Sequence, residues 1–455
     1  MSSKSFPPGL VGEVAEFIHD AAPRPNRTIA LAGAVGLVAG IAGRAYNVSG
    51  QGLNQYVLCL GRTGAGKDAI ASGIARLTAA VQRSVPGVAD FRGPGELVSA
   101  PGLFKWIARL PNPAMFSIVG EFGLMLKSMA ASNASPHKAE LQSALLRLYS
   151  KSGHGEAFDA SAYSDREKNT AVIESPSLTI IGEGVPETFY GALDRAMIAS
   201  GLLPRFLLWE TTDPRPYQNL NRVTEPNPQL VERLASLTAQ SLAVSQRNQV
   251  YNVAMTDDAA ARFVEFDRWT TDEMNAVADE VTGELWNRAH LKALKLAAVV
   301  AVGIYPFNPI ITVDEAMWAT ECVVEQTRAL IAKFDNDETG EVIGSEGKQQ
   351  NEVVRCIREY MTGKWQDSFA NYGVTAEMHR DGVFTQTYLS RRLMKLPTFN
   401  LDRIGATNAL VRALKSMLDG DEIREVPKNQ MQSNYGRHPR GFVVSDPRRF
   451  IARKS

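Results

Sequence analysis

A chain of 455 residues is too long for one hydrophobic core, so two to four domains are expected. Its 44% hydrophobic and 22% charged residues exclude a disordered or fibrous chain. Net charge is zero, and three widely spaced cysteines (Cys59, Cys322, Cys356) exclude a disulfide framework or a zinc pattern, which makes a reducing cytoplasm the expected setting.

Residues 1–50 read as a helical N-terminal layer. An apolar-periodic segment, Leu10 to Ile18, follows Pro7-Pro8, and the chain breaks at 21–25. The run from Thr28 to Gly43 is membrane-like but, at sixteen residues, short of the roughly 20 needed to span a bilayer. Gly33, Gly36, Gly40 and Gly43 fall on one helix face, a small-residue stripe that suits a buried helix in close contact with a neighbour.

The core is expected over 51–215. An apolar strand, Tyr56 to Leu60, meets Gly61-Arg-Thr-Gly-Ala-Gly-Lys-Asp68, and a helix-compatible segment runs from Ala69 to Val81. Strand, glycine-rich loop and helix with G-x-x-x-x-G-K spacing are the signature of a phosphate-binding loop. Glycines turn successive N–H groups toward an anion, the helix adds its positive end, and Lys67 reaches the β- and γ-phosphates. Gly61, Thr63, Gly64, Ala65, Gly66, Lys67, Asp68 and Ala69 are therefore the expected ATP contacts. The motif's last position ordinarily holds a Ser or Thr for Mg²⁺; here it is Asp68.

A second apolar strand, Met115 to Val119, leads to Gly120-Glu121, where P-loop ATPases carry an acidic pair. The Asp is missing and the Glu is present. A carboxylate on the loop (Asp68) in place of one on the strand (Gly120) preserves the count near the metal, so Asp68 is read as the Mg²⁺ ligand and Glu121 as the water-positioning base and second metal contact. A decayed site that binds nucleotide without turnover is the alternative.

Residues 136–150 form an amphipathic helix. The polar stretch 151–170, with His154, Arg166, Lys168, Phe158 and Tyr163, is either a nucleic-acid-contacting loop or a solvated hairpin. Ser177 to Gly182 is another buried strand, ending at Glu183, whose charge repels phosphate and suits a metal or water network instead. Arg195 follows, and Arg205 at the start of a further strand is read as an arginine finger or a sensor within the same chain.

Asp213-Pro-Arg-Pro216 marks a boundary before a helical lid, 216–335, in which Arg288 is a candidate nucleotide contact or a structural residue. A polar linker, 336–350, precedes a basic domain, 351–455. From Glu346 onward 19 Lys and Arg face 12 Asp and Glu, a surplus of seven that points to a polyanionic partner. Three helices and a two-stranded hairpin give the winged-helix order. The hairpin loop and tail hold Lys428, Arg437, Arg440, Arg448, Arg449, Arg453 and Lys454, which suits DNA. Winged helices also serve as protein-interaction modules.

Several stretches together resemble an uncharacterised P-loop domain family of phages, prophages and mobile elements, often fused or adjacent to primase domains. They are Pro8-Gly9-Leu10, Gly64-Ala-Gly-Lys-Asp68, Glu121-Phe-Gly123, Leu145 to Tyr149, Gly182 with Pro186-Glu187, Arg205-Phe206, and Arg288-Ala-His290 through Leu294, covering roughly 7–330. Asp after the loop lysine is usual in that family, whereas Gly120 departs from its more common Asp. The resemblance implies an α/β P-loop NTPase core of the RecA or AAA+ kind. It further implies Mg²⁺-dependent, helicase-like ATP hydrolysis in DNA replication, in the cytoplasm of a bacterial or phage-infected cell. A homo-oligomeric ring, expected as a hexamer, would set Arg205 near a neighbouring site. A primase or other replication protein is a possible partner, and a membrane is not expected. A weakly hydrolysing loader, initiator or scaffold is the alternative, and a packaging or defence ATPase a third.

Overall fold

Predominantly apolar runs become the strands of one parallel sheet. The structure is a computed structural model; it describes residues 6–130, 135–160, 169, 171–191, 193, 198, 200–276, 280–335, 345–400, 402, 404–420, 422–436 and 439–445. Strands β1 (Tyr56–Gly61), β2 (Ala114–Val119), β3 (Ser177–Gly184) and β4 (Phe206–Thr211) pair in the order β2-β3-β1-β4. Tyr56 stands opposite Ile180 and Phe206, and Gly61 opposite Thr211. Val57, Cys59, Phe116, Ile181 and Leu207 enter one core; Tyr56, Leu58, Met115, Ile180 and Phe206 enter another. Burial on both faces explains strands with no polar alternation.

Helix α1 (Leu10–Ala21) leads to α2 (Arg27–Ala42), whose start is capped by Asn26 accepting from the Ile29 N–H at 3.1 Å. Helix α2 packs on all four strands. A Cβ at Gly36 would lie 2.4 Å from Ile181, and one at Gly40 2.7 Å from Phe116, so the glycine stripe is the face that meets the sheet. Helix α2 is thus buried against the sheet, and α1 packs on α2 in the same core. Helices α3 (Ala69–Gln82), α4 (Pro136–Ser150), α5 (Pro228–Gln246), α6 (Ala289–Ile304) and α7 (Val313–Asp335) complete the principal elements of this unit. Of these, α3, α5 and α6 pack against α2, while α4 packs on the opposite face of the sheet. Among the described residues no helix is long and apolar enough to cross a membrane.

The chain divides into the units Met1–Glu338 and Thr339–Ser455. The second contains α8 (Ser345–Thr362), β5 (Phe384–Thr385), α9 (Gln386–Leu393), α10 (Ala406–Asp419), β6 (Ile423–Val426), α11 (Lys428–Tyr435) and β7 (Gly441–Val444). Its antiparallel sheet runs β5-β7-β6 beside a core rich in aromatics, among them Tyr360, Tyr388, Phe384 and Phe442. The expected two-stranded hairpin gains a third strand, and the expected hairpin loop contains α11. Met431 is the buried residue of that helix, so no apolar period marks it in the sequence.

Candidate functional site

Because the four strands are parallel, their carboxyl ends share one edge. The loop 62–68 leaves β1 at that edge and α3 begins at Ala69. Gly64 and Gly66 adopt φ of +80° and +96°, left-handed values that favour glycine. A Cβ on Gly66 would also lie 2.4 Å from the Arg24 carbonyl oxygen. The Ala65 N–H donates to the Arg62 carbonyl at 3.0 Å, which turns the loop, and Ala69 and Ile70 donate to Gly66 and Lys67 to start the helix. Among the described residues the N–H groups of Gly64, Gly66, Lys67 and Asp68 meet no backbone acceptor. These donors and the positive end of α3 form a concavity suited to an anion.

Lys67 folds back over its own loop, with Nζ donating to the Gly61 carbonyl and, at 3.4 Å, to that of Arg62. Asp68 occupies the N-cap position of α3, but its side chain makes no capping bond, so the exposed carboxylate is not committed to the helix. Glu121, just past β2, is exposed and holds φ at +49°, a strained value for a residue with a Cβ. Beside it, a Cβ on Gly120 would meet nothing within 4 Å, so space does not demand glycine there.

Glu183 is the register partner of Cys59 and has one carboxylate oxygen buried with no hydrogen-bond partner. Burial foremost, then the charge of Asp68, pushes its pKa up to about 7; Lys67 opposes the rise and Glu121 adds to it. Lys67, Asp68 and Glu121 therefore each lie within electrostatic reach of Glu183, and burial with Glu183 also pushes the Cys59 thiol up to about 12. Among the described residues no group of three or more His, Cys, Asp or Glu is arranged to hold a metal ion. Mg²⁺ needs only one or two carboxylates when phosphate oxygens and waters complete its shell. One or two of Asp68, Glu121 and the unpartnered Glu183 oxygen would satisfy that donor set.

Arg205 is elsewhere. It immediately precedes Phe206, the partner of Tyr56, and so lies at the amino edge of the sheet, about 20 Å of strand away from the loop. Its guanidinium donates to the Gly201 carbonyl and sits 5.9 Å from the centre of the Tyr149 ring. Burial and the nearby Arg288 lower its pKa. The same-chain sensor reading of Arg205 is thereby corrected, and Arg288 shares that distant edge.

In the stretch 151–170, Tyr163, Arg166 and Lys168 lie outside the described residues, as does Arg195. Phe158 is buried, 4.1 Å from Phe104 between ring centres and beneath Arg147, in a strand pair with Ile173–Glu174. It is not available to stack on a base.

Sequence reasoning missed the segment after β4. Arg215 sets its guanidinium against the loop, with Nε 3.1 Å from the Cβ position of Gly64. Beside β4 lies a cavity of about 440 Å³ lined in part by Asn26, Leu31, Trp209, Thr211 and Gln326. Asn26 donates to the Thr211 hydroxyl at 2.8 Å, and Thr211 packs on Gly61, which links cavity and loop. The Pro-rich composition of 213–228 signals only a break.

In the second unit several cations are paired: Arg440 with Glu425 at 2.7 Å, Arg392 with Glu359 at 2.6 Å and Arg412 with Asp402 at 2.9 Å. Thr407, Asn408, Val411 and Lys415 are exposed on α10, and Lys428 is exposed at the start of α11. Arg437, Arg448, Arg449, Arg453 and Lys454 lie outside the described residues. No protein-family model matches the chain, and no curated protein matches it.

Proposed function

We propose that the first unit binds ATP at the loop 61–69 and hydrolyses it with Mg²⁺, in service of an action on DNA by the second unit. The observation that carries this reading is the loop itself: two left-handed glycines, four N–H groups without backbone acceptors, a helix start and Lys67, all at the carboxyl edge of a parallel sheet. The polyphosphate lies on those N–H groups and Lys67. Asp68 would hold Mg²⁺ through its exposed carboxylate, and the ion would supply charge neutralisation to the phosphates. Glu121, Glu183 or both would hold the attacking water at the strand ends. The DNA part of the reading is supported by a helix–strand order and a β5-β7-β6 sheet that suit a winged helix, with Asn408 and Lys415 exposed on α10.

A nucleotide-binding loader, initiator or scaffold without turnover is the second reading, favoured by glycine at position 120 and by the absence of a three-ligand cluster among the described residues. ATP turnover with and without single-stranded DNA, in the wild type and in Lys67→Ala, separates the two. DNA-stimulated turnover lost in the variant supports the first; tight binding without turnover supports the second.

A further inference from the structure

The chain leaving β4 at Asp213-Pro-Arg-Pro216, which the composition marks as a boundary, runs exposed yet tied to its neighbours. It is strapped down across the turn between α1 and α2. Arg24 donates to the Pro216 carbonyl at 2.6 Å, and the Asn219 N–H donates to the Pro23 carbonyl at 2.8 Å. The Asn219 side chain reaches the Asp20 carbonyl at 3.0 Å, and the Val223 N–H reaches it at 3.1 Å. Further on, Arg76 of α3 donates to the Thr224 carbonyl at 3.2 Å. The same turn touches the loop from beneath, because the Arg24 carbonyl is the atom that excludes a Cβ from Gly66. Strap, turn and loop are therefore one connected construction.

Arg215 is held on that strap beside the exposed rim of the loop, with Nε 3.1 Å and Cζ 3.3 Å from the Cβ position of Gly64. Among the described residues its guanidinium has no hydrogen-bond or ion-pair partner. An exposed, unpaired guanidinium lying against a glycine nest has five donors in a plane that matches phosphate oxygens. The need for it is electrostatic. Lys67, Asp68 and Glu121 all lie within electrostatic reach of Glu183, so a polyphosphate entering this edge meets acidic groups as well as Lys67 and requires more than one cation.

We propose that Arg215 is a second phosphate-binding cation of this site, presented in cis by the strap 213–224. The inference rests on the nucleotide-binding reading and extends it to a residue 148 positions beyond Lys67 in the chain. Direct binding of ATP, measured by calorimetry over a series of KCl concentrations, tests it. Arg215→Gln should weaken ATP binding at least about tenfold, the size of a lost charge-assisted contact. Arg215→Lys should recover part of the loss, and the salt dependence of binding should be shallower in the Gln variant. Wild-type affinity in Arg215→Gln overturns the proposal. So does a loss without recovery by Lys and with an unchanged salt slope, since that marks a structural strap residue. If ATP binds equally to the wild type and Lys67→Ala, the loop reading itself fails and takes this proposal with it. If Lys67→Ala loses ATP while Arg215→Gln keeps it, only the role of Arg215 falls.

Discussion

The two edges of the parallel sheet both gather charge, and they handle it in opposite ways. At the amino edge, Lys295 is fully buried, donates to Asn54 Oδ1 at 2.7 Å and lies 4.3 Å from the centre of the Tyr149 ring. Lys292, also buried, donates to the Phe206 carbonyl at 3.2 Å, and Arg205 to that of Gly201. Burial lowers the pKa of Lys295 to about 7 and of Lys292 to about 8. At the carboxyl edge the glycines are left-handed, Glu121 is strained, Glu183 keeps an unpartnered oxygen, and Asp68 and Arg215 are exposed. Charge spent on internal hydrogen bonds marks architecture; charge left uncommitted beside strained backbone marks a site.

The largest expected effect breaks this contrast at the carboxyl edge. Lys67→Ala should abolish turnover and weaken ATP binding by about ten- to a hundredfold, while the urea midpoint stays near that of the wild type. Next is Lys295→Ala at the amino edge, which should lower unfolding free energy by about 2–5 kcal/mol by urea titration, since it opens a cavity and removes one of the two donors to Asn54 Oδ1. A destabilisation below about 0.5 kcal/mol would show that the buried amine is not structural.

The pH dependence of stability sharpens the same comparison. Lys295 binds fewer protons folded than unfolded between its lowered value of about 7 and the ordinary lysine value of 10.5. Its contribution therefore makes stability rise as pH rises through that window. Lys295→Met should flatten the wild-type rise between pH 7 and 9, leaving the smaller rise due to Lys292. Glu183 has the opposite sign: its pKa is raised from 4.5 to about 7, so its contribution is present at low pH and is lost as pH rises through 7. Urea midpoints of Glu183→Gln between pH 4.5 and 7 should lack that fall. The smallest effect belongs to Gly120→Asp. With nothing within 4 Å of the new Cβ, the variant should fold within about 0.5 kcal/mol of the wild type by thermal melting. Precipitation or a loss above about 2 kcal/mol would contradict the open space assigned there.

Much of this fold is readable from composition and period. Strands buried on two faces must be predominantly apolar runs, and Gly36 and Gly40 recur at helical spacing because Ile181 and Phe116 press against them. The loop glycines are legible because left-handed backbone leaves few other choices. What escapes is tertiary. Phe158 sits in polar sequence, yet its strand pair buries it, and α11 hides in residues with no apolar face. Arg215 meets Gly64 only after the chain has crossed the sheet and returned. The placement of Arg205 was within reach of sequence logic: in a parallel sheet a residue opening one strand cannot adjoin a loop that closes another.

The central claim is that the carboxyl edge, and not the amino edge, binds nucleotide within a single chain. Equilibrium ATP binding to the wild type, Lys67→Ala and Arg205→Gln tests it directly. The account predicts binding by the wild type and by Arg205→Gln, and its loss in Lys67→Ala. Wild-type affinity in Lys67→Ala, or loss of binding in a folded Arg205→Gln protein, would contradict it.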